Sequence, residues 1–410
     1  MEREALYRAL SQVNENKMVL LVLDGLGGLP RRDGQTELEA AATPHLDQLA
    51  LQSELGLTHA VGYGITPGSG PAHLALFGYD PLRYEIGRGI LEALGVGVDV
   101  GPSDLAVRGN FASLQDGLIV DRRAGRIATE KNRQLVGFLN GRIKQIEDVA
   151  VRLYSGEEHR FVLVLSGPGL SDALSDADPE ANNLPVKYAQ PKNEAAAKAA
   201  RVVNRFIDEF STILKDCFPA NACLLRGFAR YPAIPSLAEL FKFKAAAIAS
   251  YPMYRGLAKL VGMEILPTGK TIAEQTVTLK ANFQQYDFFF VHIKKPDSYG
   301  EDSNFDAKVT VISEFDRQLP AILSLNPAVL VVTGDHSTPA LMGSHSWHPN
   351  PFLLHSPFVR GSSSKGKLKT SRRFKFGESL CAQGILGNFS AQEILPLMMA
   401  HARKFKKYGA

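Results

Sequence analysis

Four short apolar runs punctuate the chain: Met18–Leu23 (MVLLVL), Phe161–Leu165 (FVLVL), Asp287–Ile293 (DFFFVHI) and Val329–Thr333 (VLVVT). Each is strand-length, set off by Gly, Asp or Pro, and lacks the alternation of a half-exposed strand. This pattern predicts strands buried on both faces. The segments between them have helical spacing. Thr43-Pro44 places a cap and a first-turn proline ahead of His45–Leu51. From Asn193 an Ala-rich stretch sets Val202, Val203, Phe206, Ile207 and Phe210 on one face. Ser390-x-x-Glu393 reads as a capping box opening the last helix, which runs into the basic tail RKFKK. Strands alternating with helices predict an α/β fold, a mostly parallel sheet flanked by helices.

A length of 410 residues suggests two or three folding units. Apolar residues at 45% and charged residues at 21% fit a globular core and exclude a disordered chain, a collagen or a disulfide scaffold. The net charge of +4 is small for this length and gives no reason to expect nucleic acid as a partner. Three cysteines without a CxxC pair argue against a disulfide framework or a thiolate zinc site, and fit a reducing, cytoplasmic setting. No secretory leader is visible, and no apolar run reaches the ~20 residues of a membrane span. The segment Gly361–Ser371, with Arg360, Arg372 and Arg373 beside it, reads as a solvated loop.

The chemistry collects at the ends of the apolar runs. Asp24 follows the first, in LVLDGLGG, where an open α/β sheet gathers its ligands. Asp335 and His336 follow VLVVT, and His345 and His348 come shortly after. Adjacent Asp and His can give one cation an oxygen and a nitrogen ligand, or serve two neighbouring cations. Asp297 and Glu301 lie just past YDFFFVHI, behind Lys294 and Lys295. Ser69 stands between glycines in TPGSGPAHLALFGYDP, ahead of a proline that begins a helix, so its hydroxyl is expected at a helix N-terminus suited to phosphate. Together these are the parts of a two-metal phosphoryl-transfer site with a serine nucleophile.

The segments DGLGGLP, TPGSGPAHLALFGYDP, VRGNFA, DRRAGRI, KNEAA and VVTGDHSTP, in this order, resemble the archaeal-type cofactor-independent phosphoglycerate mutases of the alkaline phosphatase superfamily. The resemblance runs from about residue 17 to 400. It implies an alkaline-phosphatase-like sheet and a Ser69 that is phosphorylated during turnover. One divalent ion would be held by Asp24, Ser69, Asp335 and His336, the other by Asp297, His345 and a third ligand. At that third position the family carries a histidine, and this chain has Glu301. A carboxylate there favours the harder ions Mn²⁺ or Mg²⁺ over Zn²⁺ or Co²⁺. His348 is a second candidate for the same role.

A trianionic phosphoglycerate also needs clustered cations. Four arginines within nineteen residues supply them: Arg108, Arg122, Arg123 and Arg126, with Asp121 expected to orient a glycerate hydroxyl and Arg226 a weaker candidate. The resemblance places these in an inserted α/β substrate-binding domain, residues 105–234. The catalytic domain is then discontinuous, residues 1–104 and 235–410, with the insert closing over the metal site. The function expected is interconversion of 2- and 3-phosphoglycerate, a glycolytic step, without bisphosphoglycerate. The alternatives are a metal-dependent phosphomonoesterase of the same superfamily and a non-catalytic anion or metal binder.

Overall fold

A computed structural model describes residues 2–359 and 374–409. The basic segment Gly361–Ser371 and the arginines flanking it lie outside the described residues. The chain divides into two compact units, Met1–Glu85 with Ile234–Ala410, and Ile86–Ala233. The second begins ahead of residue 105 because the helix Arg88–Gly95 belongs to it. Gly89 of that helix lies so close to the carbonyls of Ala106 and Gly227 that a Cβ would come within 2.3 and 2.6 Å of them.

Among the described residues, the first unit is built on an eight-stranded sheet. Its strand order is Glu264–Ile265, Ala245–Ile248, Phe288–Ile293, Met18–Leu23, Val329–Thr333, Asn350–His355, Glu54–His59 and Gly387–Ser390. The first five strands are parallel. Asn350–His355 runs antiparallel to both its neighbours, and the last pair is parallel again. Every residue of Met18–Leu23, Phe288–Ile293 and Val329–Thr333 is buried, as the unbroken apolar runs require. Parallel neighbours point their carboxyl ends the same way, so Asp24, Lys294 and Gly334-Asp335 leave the sheet side by side.

The second unit carries a seven-stranded sheet in which every pairing is antiparallel. Its long strand Asp104–Gln115 lies between Arg160–Ser166 and Ala222–Arg230. The helix Ala197–Ile213 buries the face made by Val202, Val203, Phe206, Ile207 and Phe210. Phe210 meets Phe111 at 5.5 Å and Phe161 at 5.7 Å between ring centroids. Each such side chain contributes roughly 1.5–3 kcal/mol by leaving water.

The helix starts differ in detail from expectation. Asn193 caps a 3₁₀ turn, Glu194–Ala196, that leads into the helix. Ser390 accepts from the Gln392 N–H, and a 3₁₀ turn (Ala391–Glu393) replaces the capping box. Thr43 makes no cap, since its hydroxyl donates to Asp47, while Pro44 does open the helix.

Candidate active site

Ser69 is the first residue of the helix Ser69–Leu76, so its hydroxyl sits where free backbone N–H groups favour an anion. Its Oγ lies 3.2 Å from His336 Nε2 and receives the Tyr254 hydroxyl at 3.3 Å. One turn on, His73 Nδ1 reaches the Ser69 carbonyl at 2.8 Å and Asp335 Oδ2 at 3.3 Å. Burial and the neighbouring His292 push the His73 pKa down to about 3, so the ring stays neutral and donates from Nδ1.

Among the described residues, two groups of side chains could hold a cation. Asp24, Asp335 and His336 form one, and Asp297, His336 and His345 the other, each with its ligand atoms within 4.8 Å. His336 Nε2 is 3.1 Å from Asp335 Oδ2 and 3.5 Å from Asp24 Oδ1. His345 Nε2 is 3.4 Å from Asp297 Oδ1 and 3.7 Å from Glu301 Oε1, and its ring stacks on His336 at 3.7 Å. Asp297 and Glu301 share the helix Lys295–Glu301 four residues apart, on one face. Glu301 thus borders the second group, with half its side chain exposed. His348 belongs to neither group; its Nδ1 lies 3.1 Å from the Ser346 hydroxyl and its ring stacks on Trp347.

The electrostatics fit a divalent ion. Both oxygens of Asp24 and Oδ2 of Asp335 are buried with no well-aligned hydrogen bond, although His292, Lys294 and His336 lie at 3.2–3.5 Å from Asp24 and His336 and His73 at 3.1 and 3.3 Å from Asp335. Burial alone would raise the Asp24 pKa, but Lys294, His292 and His336 hold it well below the usual carboxylate range. Asp335 goes the other way, raised well above that range by burial and by the charge on Asp24. Two carboxylates this close ionise together only when a cation joins them. In the chain itself the Lys294 ammonium bridges Asp24 and Asp297 instead, 3.2 Å from Asp24 Oδ2 and 2.5 Å from Asp297 Oδ2. All-oxygen-and-imidazole donors suit Mn²⁺, Mg²⁺, Zn²⁺ or Co²⁺ and offer no thiolate. One expected outcome is that binding of a divalent ion releases protons, chiefly from Asp335, and that the release grows as pH falls. Calorimetric titration in buffers of different ionisation enthalpy measures it, and heats that match across buffers would contradict the coupled pair.

Several contributors gave no sequence signal. His292 sits inside the apolar run FFFVHI, yet its Nε2 is 3.2 Å from Asp24 Oδ2 and its ring stacks on Tyr254 at 3.7 Å. Tyr254 comes from a separate helix, Pro252–Leu260, and takes a hydrogen bond from Lys294 at 3.2 Å.

The expected arginine cluster divides when placed in the second unit. Arg108 and Arg226 face each other across paired strands, and Arg160 pairs in register with Asn110. The Nε atoms of Arg108, Arg160 and Arg226 are all buried without a hydrogen-bond acceptor. Burial lowers the Arg108 pKa; Glu92, 3.5 Å away, opposes this, and Arg226, Arg160 and Arg88 add to it. Arg122 is already engaged, forming two 2.9 Å bonds to Asp178. Asp121 accepts the N–H groups of Arg123 and Gly125 at 2.8 and 2.6 Å, so it shapes the loop. Ala124, Gly125 and Arg126 all have positive φ there, and the side chains of Arg123 and Arg126 are exposed. Arg88 and Arg160 were not anticipated; each is isolated in sequence, Arg160 being brought in by strand register and Arg88 by the helix Arg88–Gly95 packed against Ala106 and Gly227.

A serine at a helix N-terminus beside two acid–imidazole groups, at the carboxyl ends of parallel strands, defines a metal-dependent phosphoryl-transfer enzyme. A family model described as 2,3-bisphosphoglycerate-independent phosphoglycerate mutase matches residues 50–219. The probable 2,3-bisphosphoglycerate-independent phosphoglycerate mutase of Thermosipho melanesiensis is 52% identical over 100% of both chains. The chain belongs to the 2,3-bisphosphoglycerate-independent phosphoglycerate mutase family. The probable enzyme of the same name from Thermus thermophilus is 49% identical over 98% of each chain. Among solved structures, a Pyrococcus horikoshii protein is 30% identical, with a TM-score of 0.80 over 97% of this chain and 100% of its own. The cofactor-independent phosphoglycerate mutase of Thermoplasma acidophilum is 32% identical, with a TM-score of 0.71 over 94% of this chain and 100% of its own.

Proposed function

We propose that this isomerase interconverts 2- and 3-phosphoglycerate through a phosphoserine on Ser69. Ser69 Oγ gives up its proton and attacks phosphorus, the ester bond to glycerate breaks, and the departing glycerate oxygen takes up a proton in its place. Retained glycerate then presents its other hydroxyl, which loses its proton as it attacks the phosphoserine, and the freed Ser69 oxygen is reprotonated. Asp24, Asp335 and His336 would hold one divalent ion, and Asp297, His345 and Glu301 the other. When bound, such ions ease deprotonation of the serine and neutralise the phosphoryl oxygens. Tyr254 orients the Ser69 hydroxyl, Lys294 orients Tyr254, and His73 fixes the start of the helix from within.

The observation that carries the reading is the pairing of a poised serine with two buried sets of acid and imidazole side chains whose ligand atoms lie within 4.8 Å of one another. Retention of glycerate falls to the arginines. Arg108 and Arg226 face each other on neighbouring strands, each with one carboxylate alongside (Glu92 at 3.5 Å, Asp178 at 3.6 Å), and their buried Nε atoms without an acceptor are the groups left for an anionic ligand. Arg123 and Arg126 are the exposed members available to the same ligand.

The test is to incubate metal-loaded protein with 3-phosphoglycerate and follow 2-phosphoglycerate and free phosphate together. Isomer without phosphate is expected, whereas rapid phosphate release with little isomer would make the protein a phosphomonoesterase. Replacing Arg108 by Met should raise KM about 10- to 100-fold, as expected for ~1.5–3 kcal/mol of charge-assisted hydrogen bonding. Unchanged KM in that variant would remove Arg108 from the substrate site.

A further inference from the structure

Thr338 is completely buried and meets all three segments that carry the acid and imidazole ligands. Its hydroxyl donates to Asp297 Oδ1 at 2.7 Å and lies 3.0 Å from His336 Nδ1. Its N–H donates to the Gly27 carbonyl at 3.1 Å, and its own carbonyl accepts the buried Lys308 ammonium at 2.8 Å. Lys308 also donates to the Gly27 carbonyl, so one ammonium fastens both loops from beneath. The packing leaves no slack. A Cβ on Gly25 would come within 2.5 Å of the Thr338 hydroxyl, and one on Gly300 within 2.2 Å of its carbonyl oxygen.

The direction of the hydroxyl bond has a chemical consequence. A carboxylate only accepts, so the Thr338 proton goes to Asp297 and the hydroxyl offers His336 a lone pair. His336 must then carry its own proton on Nδ1, which leaves the Nε2 lone pair toward Asp24, Asp335 and Ser69. Yet His336 is within reach of both ligand groups. We propose that Thr338 is the positioning residue that allots His336 to the Asp24–Asp335 group, leaving the Asp297–His345 group to complete itself with Glu301. This rests on the two-metal reading above.

The test uses the full chain, stripped of metal and titrated with Co²⁺, read by calorimetry and by the visible absorption of the bound ion. Wild type should bind two ions per chain. Thr338→Val keeps the shape and removes the hydroxyl; it should weaken binding about 10- to 100-fold, as loss of an outer partner does, and alter the absorption spectrum. Thr338→Ser keeps the hydroxyl and should restore both. Wild-type affinity and spectrum in Thr338→Val would overturn the proposal, as would a Thr338→Ser protein no better than Thr338→Val. Should Thr338→Val fail to fold, Thr338→Ala against Thr338→Ser gives the same decision. Fewer than two ions in the wild type would defeat the two-metal reading itself, a result separate from any effect at Thr338.

Discussion

Replacing Ser69 by Ala is expected to abolish formation of both 2-phosphoglycerate and free phosphate, lowering kcat on the order of 10⁶-fold, the scale seen when a covalent nucleophile is removed. The fold should survive, because the helix keeps its glycine cap and the buried face of Ala72, Leu74, Ala75 and Leu76. Divalent ions should still bind, since Asp24, Asp335 and His336 keep their positions around one another. The wild-type enzyme, quenched during turnover and digested, should yield a phosphopeptide containing Ser69, and the variant none. Residual isomerisation in Ser69→Ala, or phosphate found on another side chain, would place the nucleophile elsewhere.

Removing divalent ions with a chelator is the second large effect. Activity should fall on the order of 10³-fold or more, because several kcal/mol of charge stabilisation is withdrawn. Stability should fall with it: saturation at 100 times Kd contributes about 2.7 kcal/mol to the folded state, and this is lost on chelation. The effect has a pH sign. Asp335, with its pKa raised in the fold, costs the ion-free protein stability as pH climbs from the unfolded value toward the folded one. Asp297, with its pKa lowered to about 2 where His345, Lys294 and His336 outweigh burial, stabilises above the unfolded value and loses that contribution as pH falls toward 2. The gain in melting temperature on adding Mn²⁺ should therefore be larger at neutral pH than near pH 4. An equal gain at both would contradict the carboxylate assignment.

The parts of the candidate site that the sequence marked are those attached to a strong local pattern. Asp24 and Asp335-His336 directly follow uninterrupted apolar runs, and such runs become the central strands. Ser69 was marked by the glycines and proline that open its helix. What escaped detection depends on distance in sequence. His292 looks like core because it is core; only its strand neighbour reveals Asp24 beside it. Tyr254 and Lys308 occupy ordinary helices, and nothing local distinguishes them. The arginines make the point most sharply. Arg122 and Arg123 are adjacent, yet one is locked to Asp178 and the other is exposed. Arg108 and Arg226, over a hundred residues apart, are direct neighbours because antiparallel register brings them together.

The position of Met18–Leu23 at the centre of its sheet has a cost during synthesis. Both its partners, Phe288–Ile293 and Val329–Thr333, lie far downstream. At ~5–20 residues per second, the strand waits on the order of 10–50 s before the first of them leaves the ribosome. The unit Ile86–Ala233 is continuous in sequence and can close in the meantime. During that interval MVLLVL is an unpaired, strongly apolar segment of the kind that self-associates, and only its flanks guard it. Those flanks are Glu15 and Lys17 on one side and Asp24 on the other. Asp24, buried beside Lys294 in the finished fold, thus stands first as a charged flank of the kind that keeps an apolar segment of nascent chain soluble.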